Sequence, residues 1–545
     1  MNKYYLLFAT FLCGINASFA QCAETDETKV LLVGDSWAFF MGVDQTIDHA
    51  LQKWGHSHYK YFTNTTIAEN GAETDDFLKP DKQAEIIAQM QAHPNIEVIH
   101  LSIGGNDFLG DWNIHFTQVQ TDSLMQAVQV RLLQVIDFLK STKPGIKILW
   151  SGYAYPNFEE VIEDSAPFQS NHPFYNTWES MGFPTFLQIN TLLDSVAHKM
   201  EIYAASDPQV AFVSAASILQ YTFGQNDPLT VAPFGTYGAY TAFLPYGYPT
   251  YPSPKEAMRD YFLTKDCFHL SPKGYDDMVE YQMQKFYQKY LMDDQYFLAE
   301  NNLQNGSISS AGNTTIGLQM GKMGTESVST ALSFNTTTMP DTPLTAASIF
   351  LRTSAITGAN PINGNVEVKI KQGNFGTSAN VQGMDYTAAA DATGNACVFG
   401  SNNGQGHWIR VDLPADMLPF IQQTDITQFL ISTPTSTEGI ITFSNTSDSD
   451  FAPVLNLTFK HPAVGTEGEL AENRLILLYP NPTNGLLYIE NENVSKIELF
   501  NLLGEKVLQP AIKEHSVDIS ALHAGMYFAN LYTEKGLIFA KIVKE

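Results

Sequence analysis

The chain has 545 residues, 44% hydrophobic and 16% charged, with 57 acidic side chains against 30 basic ones and a formal net charge of −27. That length calls for three or so domains rather than one core. A composition this acidic lacks the basic footprint that nucleic acid requires, so no nucleic-acid partner is expected, and the acidity otherwise argues only for solubility.

The sequence opens with Lys3, an apolar stretch over 4–13 and the small-residue end Ala17-Ser18-Phe19-Ala20. This is the order of a signal peptide over residues 1–20, whose apolar part is too short to span a bilayer. A lipoprotein reading fails because Leu12 precedes Cys13 and Gln21 precedes Cys22, where a small residue is needed. No later stretch is long and apolar enough for a membrane helix, so a soluble exported protein is expected. Cys22, Cys267 and Cys397 remain after cleavage. An odd, widely spaced set is no disulfide framework and lacks metal-site spacing, so neither a metal nor another cofactor is expected.

Residues 26–295 alternate strand-like and helix-like segments. The run over 30–33 is apolar without a break, as in a strand covered on both faces. Helical patterns follow over 44–54 and 86–90, and a long amphipathic one over 125–139 puts Leu132, Leu133, Ile136 and Leu139 on one side. Further strands are read at 98–103, 146–150 and 210–213, and a closing helix at 275–290. This alternation predicts a parallel sheet between helices. Near Asn301 the composition changes, and residues 301–350 hold only Lys322, Glu326 and Asp341 as charges. Period-two segments such as "VEVKIKQ" (366–372) and "VLNLTFK" (454–460) then predict a β-sandwich. A linker over 461–473 leads to a third unit of short strands separated by turn residues.

The segment "VLLVGDSWAFF" (30–40) carries the first chemical signal. Gly34 supplies a turn, and Ser36 falls at the C-terminal edge of the sheet, where open α/β folds place their ligands. A serine nucleophile needs a base, a group that orients the base, and donors for the oxyanion. "ENGAET" offers the backbone of Gly71, and "IHLSIGGND" ends a buried strand at Asn106-Asp107. "TKDCFHLSPKGY" places Asp266 three residues before His269, so that one imidazole nitrogen can meet the carboxylate within a single loop turn and the other can face the serine. Each piece has a plainer use: Ser36 as a helix N-cap, Gly71 as a turn glycine, Asn106 and Asp107 as caps, Ser271-Pro272 as a helix start. On strand-end loops of one α/β unit, in this order, they make a serine hydrolase site. Asp35 is expected to stabilise the turn and Cys267 to be buried packing. Residues 221–251 carry nine aromatics and one charge, Asp227, in a Gly- and Pro-rich loop. Such a loop suits an acyl wall, or tyrosine faces for sugar rings.

Over roughly residues 28–292 the set "GDS", "NGAET", "GGND" and "DCFH" resembles the SGNH hydrolases, also called the GDSL family. The resemblance implies a three-layer α/β/α domain with a parallel sheet and a Ser36–His269–Asp266 triad. It also implies an oxyanion hole from Ser36, Gly71 and Asn106, with no metal. Thr74 stands where many members have a second glycine, and the long interval from Asp107 to Asp266 implies inserted segments. From about Leu475, "YPNPTNG", "IELFNLLGEKV" and "DISALHAGMYFANL" resemble type IX secretion sorting domains. The middle unit looks like a jelly-roll sandwich. The expected organisation is therefore a signal peptide (1–20), an SGNH hydrolase domain (21–298), a β-sandwich accessory domain (299–462), and a linker with a small β-sandwich sorting domain (463–545). The implied function is a secreted carboxylic-ester hydrolase of esterase or lipase type, acting on lipid or acylated carbohydrate, with the outer-membrane secretion machinery as partner. The alternatives are a polysaccharide acetylesterase using the same site and, more remotely, a non-catalytic surface-binding protein.

Overall fold

The unbroken apolar run becomes the buried half of strand β1 (Glu27–Gly34), in which Val30 to Val33 are fully buried. With β2 (Tyr59–Phe62), β3 (Val98–Ser102), β4 (Lys147–Ser151) and β5 (Val210–Val213) it forms a parallel sheet in the order β2-β1-β3-β4-β5. Val33 lies opposite Leu101 and Gly34 opposite Ser102, so the loops leaving β1 and β3 emerge side by side. That register brings the Ser36 and Asn106 segments to one sheet edge. Helices cover the sheet, the longest being Gln118–Ser141, which buries Met125, Val128, Leu132, Val135, Ile136 and Leu139 behind a Thr117–Gln120 capping box.

This computed structural model describes residues 22–544 except 217, 226–229, 232–234, 237–247, 300, 401–403, 422, 424–425, 435–436, 446–449, 461–476, 491–493, 501–505, 514, 524 and 534–535. The expected signal peptide and linker thus lie outside the described residues, as does most of the aromatic loop. Among the described residues no helix is long and apolar enough to cross a membrane. The helical pattern expected over 44–54 is the helix Thr46–Lys53; a separate helix, Ser36–Val43 (α1), precedes it, and Gln45, whose φ is +55°, stands between them. The closing helix begins at Pro272 and passes through a π-helical turn at Met283–Tyr287.

Two compact units are present, Met1–Lys460 and His461–Glu545. In the first, the α/β layers are followed by antiparallel strands that join one 12-stranded sheet. Eight of these, Leu344–Gly358, Trp408–Asp412, Ala392–Phe399, Asn365–Gln372, Ile426–Ser432, Glu326–Asn335, Leu318–Met323 and Gly439–Phe443, pair in that order and close back on the first. The expected sandwich is therefore a closed one, which removes exposed edges around a core that includes Leu332, Phe334, Ile349, Val368, Phe429 and Leu455. It is fastened to the α/β part. The Trp54 and Trp408 rings stack at 5.4 Å, and Arg410 donates to Glu24 and to His58 Nδ1, each at 2.6 Å. Burial and the Arg410 charge push His58 down to about 3, so its neutral ring can accept from the guanidinium.

The expectation of no disulfide is overturned: Cys22 and Cys397 are bonded, with Cα atoms 5.7 Å apart. The odd count misled because Cys267 is buried in the α/β core and takes no part. The remaining two lie 375 residues apart, a separation no local spacing could have paired. The second unit is the expected small β-sandwich. Two four-stranded antiparallel sheets enclose Leu487, Ile489, Ile497, Leu499, Ala529, Leu531 and Ile542.

Candidate active site

Gly34 ends β1 at φ +152°, and a Cβ there would collide with the Ser102 carbonyl oxygen, so only glycine lets β1 turn this tightly beside β3. Asp35 is the helix cap: its Oδ1 accepts from the Trp37 amide at 2.9 Å. Ser36 is consequently the first residue of α1, not its cap, and its hydroxyl stands at the positive end of the helix. Ser36 is buried, as are Asp266 and His269.

His269 Nε2 lies 2.7 Å from Ser36 Oγ, and His269 Nδ1 lies 2.8 Å from Asp266 Oδ2. The other carboxylate oxygen of Asp266 accepts from the amides of Phe268 (2.9 Å) and His269 (2.8 Å), which locks its orientation. The expected loop turn is instead a bulged strand. In the hairpin of Met258–Tyr261 with Thr264–Leu270, Asp260 pairs with Lys265 and Met258 with Leu270, leaving Asp266 to His269 opposite Arg259 alone. Arg259 holds that bulge by donating to the Leu270 carbonyl (3.2 Å) and to both oxygens of Asp44 (2.7 and 3.0 Å). Ser271 also caps the following helix, with Pro272 at its first position. The plainer reading of that loop holds alongside the histidine geometry. Burial and the nearby Asp266 push the Cys267 thiol well up, so it stays protonated and unreactive.

Asn106 lies in the helix that follows β3, and its Nδ2 donates to the Ala72 carbonyl at 2.9 Å. One amide hydrogen is thereby used and one is left for a ligand. Gly71, at φ +84°, is exposed, and its amide makes no hydrogen bond to the described residues. Gly71 adjoins Asn106 through Ala72, but it does not line the cavity beside Ser36 as Asn106 does.

Thr74, which stands where the resembled motif has a second glycine, fastens these loops together. Asp107 accepts from the Thr74 amide (3.0 Å) and hydroxyl (2.5 Å), and Arg131 donates to Asp107 (2.8 Å) and to Thr74 Oγ1 (2.8 Å). A second clamp was not visible in the sequence. Tyr153 OH donates to Asp35 Oδ2 at 2.5 Å and accepts from the Gly105 amide at 3.1 Å, tying the serine turn to the Asn106 loop. Burial pushes Asp35 up to about 6 against the lowering effect of Tyr153 and the Trp37 amide. Because that value lies above the ordinary carboxylate value of 3.8, ionising Asp35 disfavours the fold, and stability is lost as pH rises from about 4 to about 6. Asp35→Asn should therefore gain on the wild type across that window. Melting temperatures measured from pH 4 to 7 check this: the difference between variant and wild type should grow up to about pH 6 and then level off.

A cavity of about 60 Å³ opens beside Ser36 and Asn106, walled mainly by Trp37, Trp112, Met181, Ile189, Leu192 and Phe268. Ile189 and Leu192 come from the helix Phe186–Ser206 in the segment inserted between Asp107 and Asp266. Tyr248 and Tyr251 do not line it, and Phe234, Tyr237, Tyr240, Phe243 and Tyr246, also expected in the wall, lie outside the described residues. A serine hydroxyl, a base held by a carboxylate, an amide donor and an apolar hollow can together attack and hold a carbonyl.

Residues 477–545 match the family model of the secretion system C-terminal sorting domain. This segment marks the chain for export across the outer membrane, to the cell surface or the medium. No curated protein matches the chain. Among solved structures the chain is similar to a family 3 carbohydrate esterase from Clostridium thermocellum (17% identity, 49% of this chain and 98% of that one, TM-score 0.25). It is also similar to a GDSL-like lipase from Bacteroides thetaiotaomicron (14%, 50% and 94%, 0.25) and an extracellular lipase from Streptomyces rimosus (16%, 48% and 99%, 0.27).

Proposed function

We propose that the protein is a secreted serine ester hydrolase of the SGNH type. In this reading residues 1–20 form the signal peptide, 21–298 the catalytic domain and 299–462 the accessory domain, while 463–545 engage the outer-membrane secretion machinery. The hydrogen-bonded line Asp266–His269–Ser36 beside an apolar cavity carries the reading. Ser36 Oγ attacks the ester carbonyl carbon while its proton passes to His269 Nε2. The tetrahedral oxyanion is met by the Ser36 and Gly71 amides and the free amide hydrogen of Asn106. His269 returns the proton to the departing alcohol oxygen, leaving the acyl group on Ser36. Water then repeats the sequence and releases the acid. Asp266 holds the imidazole tautomer throughout.

Asn106→Ala should lower kcat by about 10²–10³-fold with little change in KM, the cost of one oxyanion donor. An unchanged kcat would move that role elsewhere.

The apolar walls favour an acyl group over a sugar in the cavity. A panel of nitrophenyl esters from acetyl to palmitoyl, run beside acetylated xylan and pectin, tests the reading. Each methylene that enters the cavity contributes up to about 0.8 kcal/mol. Two should raise kcat/KM by about tenfold, and the gain should stop after a short chain because the cavity is small. Preference for acetylated polysaccharide, with activity falling from acetyl onward, would favour the acetylesterase alternative.

A further inference from the structure

The hairpin that carries Asp266 and His269 ends in a two-residue tip, Phe262–Leu263, whose side chains are 92% and 104% exposed. A tip of this kind ordinarily takes Asn, Asp or Gly, because its backbone enters the left-handed region. Phe262 holds φ +53° there, a conformation bulky side chains rarely adopt, and it does so while facing water. Neither local backbone preference nor packing accounts for an aromatic residue at this position. The flanking charges cancel: Asp260 and Lys265 pair at 2.6 Å behind the tip, so it presents an uncharged apolar surface on a chain of net charge −27. That balance suits an uncharged partner and disfavours an anionic one. The tip is also continuous with the site. Phe262 meets Tyr261 at 5.2 Å, Tyr261 meets Phe174 at 5.7 Å, and Phe174 meets Phe268 at 4.9 Å and His269 at 6.3 Å.

We propose that Phe262 and Leu263 are an interfacial anchor that seats the enzyme on the surface of aggregated, uncharged ester lipid, with the cavity mouth turned toward it. The proposal rests on the ester-hydrolase reading and names its substrate class as ester presented at an interface.

The test compares the full chain with its Phe262→Ser/Leu263→Ser double variant on two substrates: monomeric nitrophenyl acetate and emulsified tributyrin. Partition onto tributyrin droplets is measured separately by flotation, which needs no turnover. Loss of two apolar side chains that docking would bury should weaken partition by at least about tenfold. Tributyrin hydrolysis should fall with it, while nitrophenyl acetate turnover stays within about twofold of the wild type. Unchanged partition overturns the anchor. A second variant, Leu263→Cys carrying an environment-sensitive dye, should shift to the blue on adding droplets, and an unshifted emission overturns the proposal independently. If the wild type cleaves neither substrate, the hydrolase reading falls, while flotation and the dye still decide whether the tip docks.

Discussion

Ser36→Ala should abolish ester turnover, lowering kcat by about 10⁴-fold or more, while the protein folds and melts as the wild type does. The expectation has two parts because the structure separates them. The cap of α1 is Asp35, whose carboxylate accepts from the Trp37 amide, so losing the Ser36 hydroxyl leaves the start of the helix intact. Alanine is also the best helix former, so the helix itself gains nothing adverse. What disappears is, among the described residues, the only oxygen placed 2.7 Å from His269 Nε2 that could carry an acyl group. A variant that retained a tenth of wild-type turnover would remove Ser36 from the chemistry, and a variant that failed to fold would make the hydroxyl structural.

Asp266→Asn should cost about 10⁴-fold in kcat with KM nearly unchanged. Asp266 acts only as an acceptor, taking the Phe268 and His269 amides on one oxygen and His269 Nδ1 on the other. An asparagine can keep the two backbone bonds with its carbonyl, but its NH₂ then points at Nδ1. The imidazole answers by carrying its proton on Nε2, the nitrogen that must be bare to receive the serine proton. The shape of the site survives and its proton transfer does not. A loss of less than tenfold would show that the imidazole is oriented by something else.

The parts of this site that the sequence displayed were those whose signals are local. A run of four apolar residues before Gly-Asp-Ser states a buried strand and its turn, and Asp266 and His269 are three residues apart. Asn106 and Ser36 could be set on one edge because each directly follows a buried apolar strand, and the structure pairs those two strands in register. The supporting contacts join distant positions, and no periodicity marks them. Tyr153 reaches Asp35 across 118 residues, and Arg131 reaches Thr74 across 57. Thr74 read as a departure from a motif because its role exists only once Asp107 faces it. The bulge that aims His269 depends on pairing with Arg259, which the spacing of Asp-x-x-His cannot reveal. The acyl-sized cavity was expected from the aromatic loop, yet its described walls include Ile189 and Leu192, which in sequence are indistinguishable from ordinary core positions of an amphipathic helix. The disulfide escaped for the same reason of distance, and the closure of the antiparallel strands because strand patterns carry facing but not pairing order.

Covalent labelling shows whether Ser36 is the nucleophile. The wild-type chain is treated with a fluorophosphonate, digested, and mapped by mass spectrometry, beside His269→Ala treated in the same way. One adduct is expected, on Ser36, with loss of ester hydrolysis in proportion to labelling and almost none in His269→Ala. Ester hydrolysis that persists without an adduct on Ser36, or an adduct on another residue that tracks the loss of activity, would contradict it.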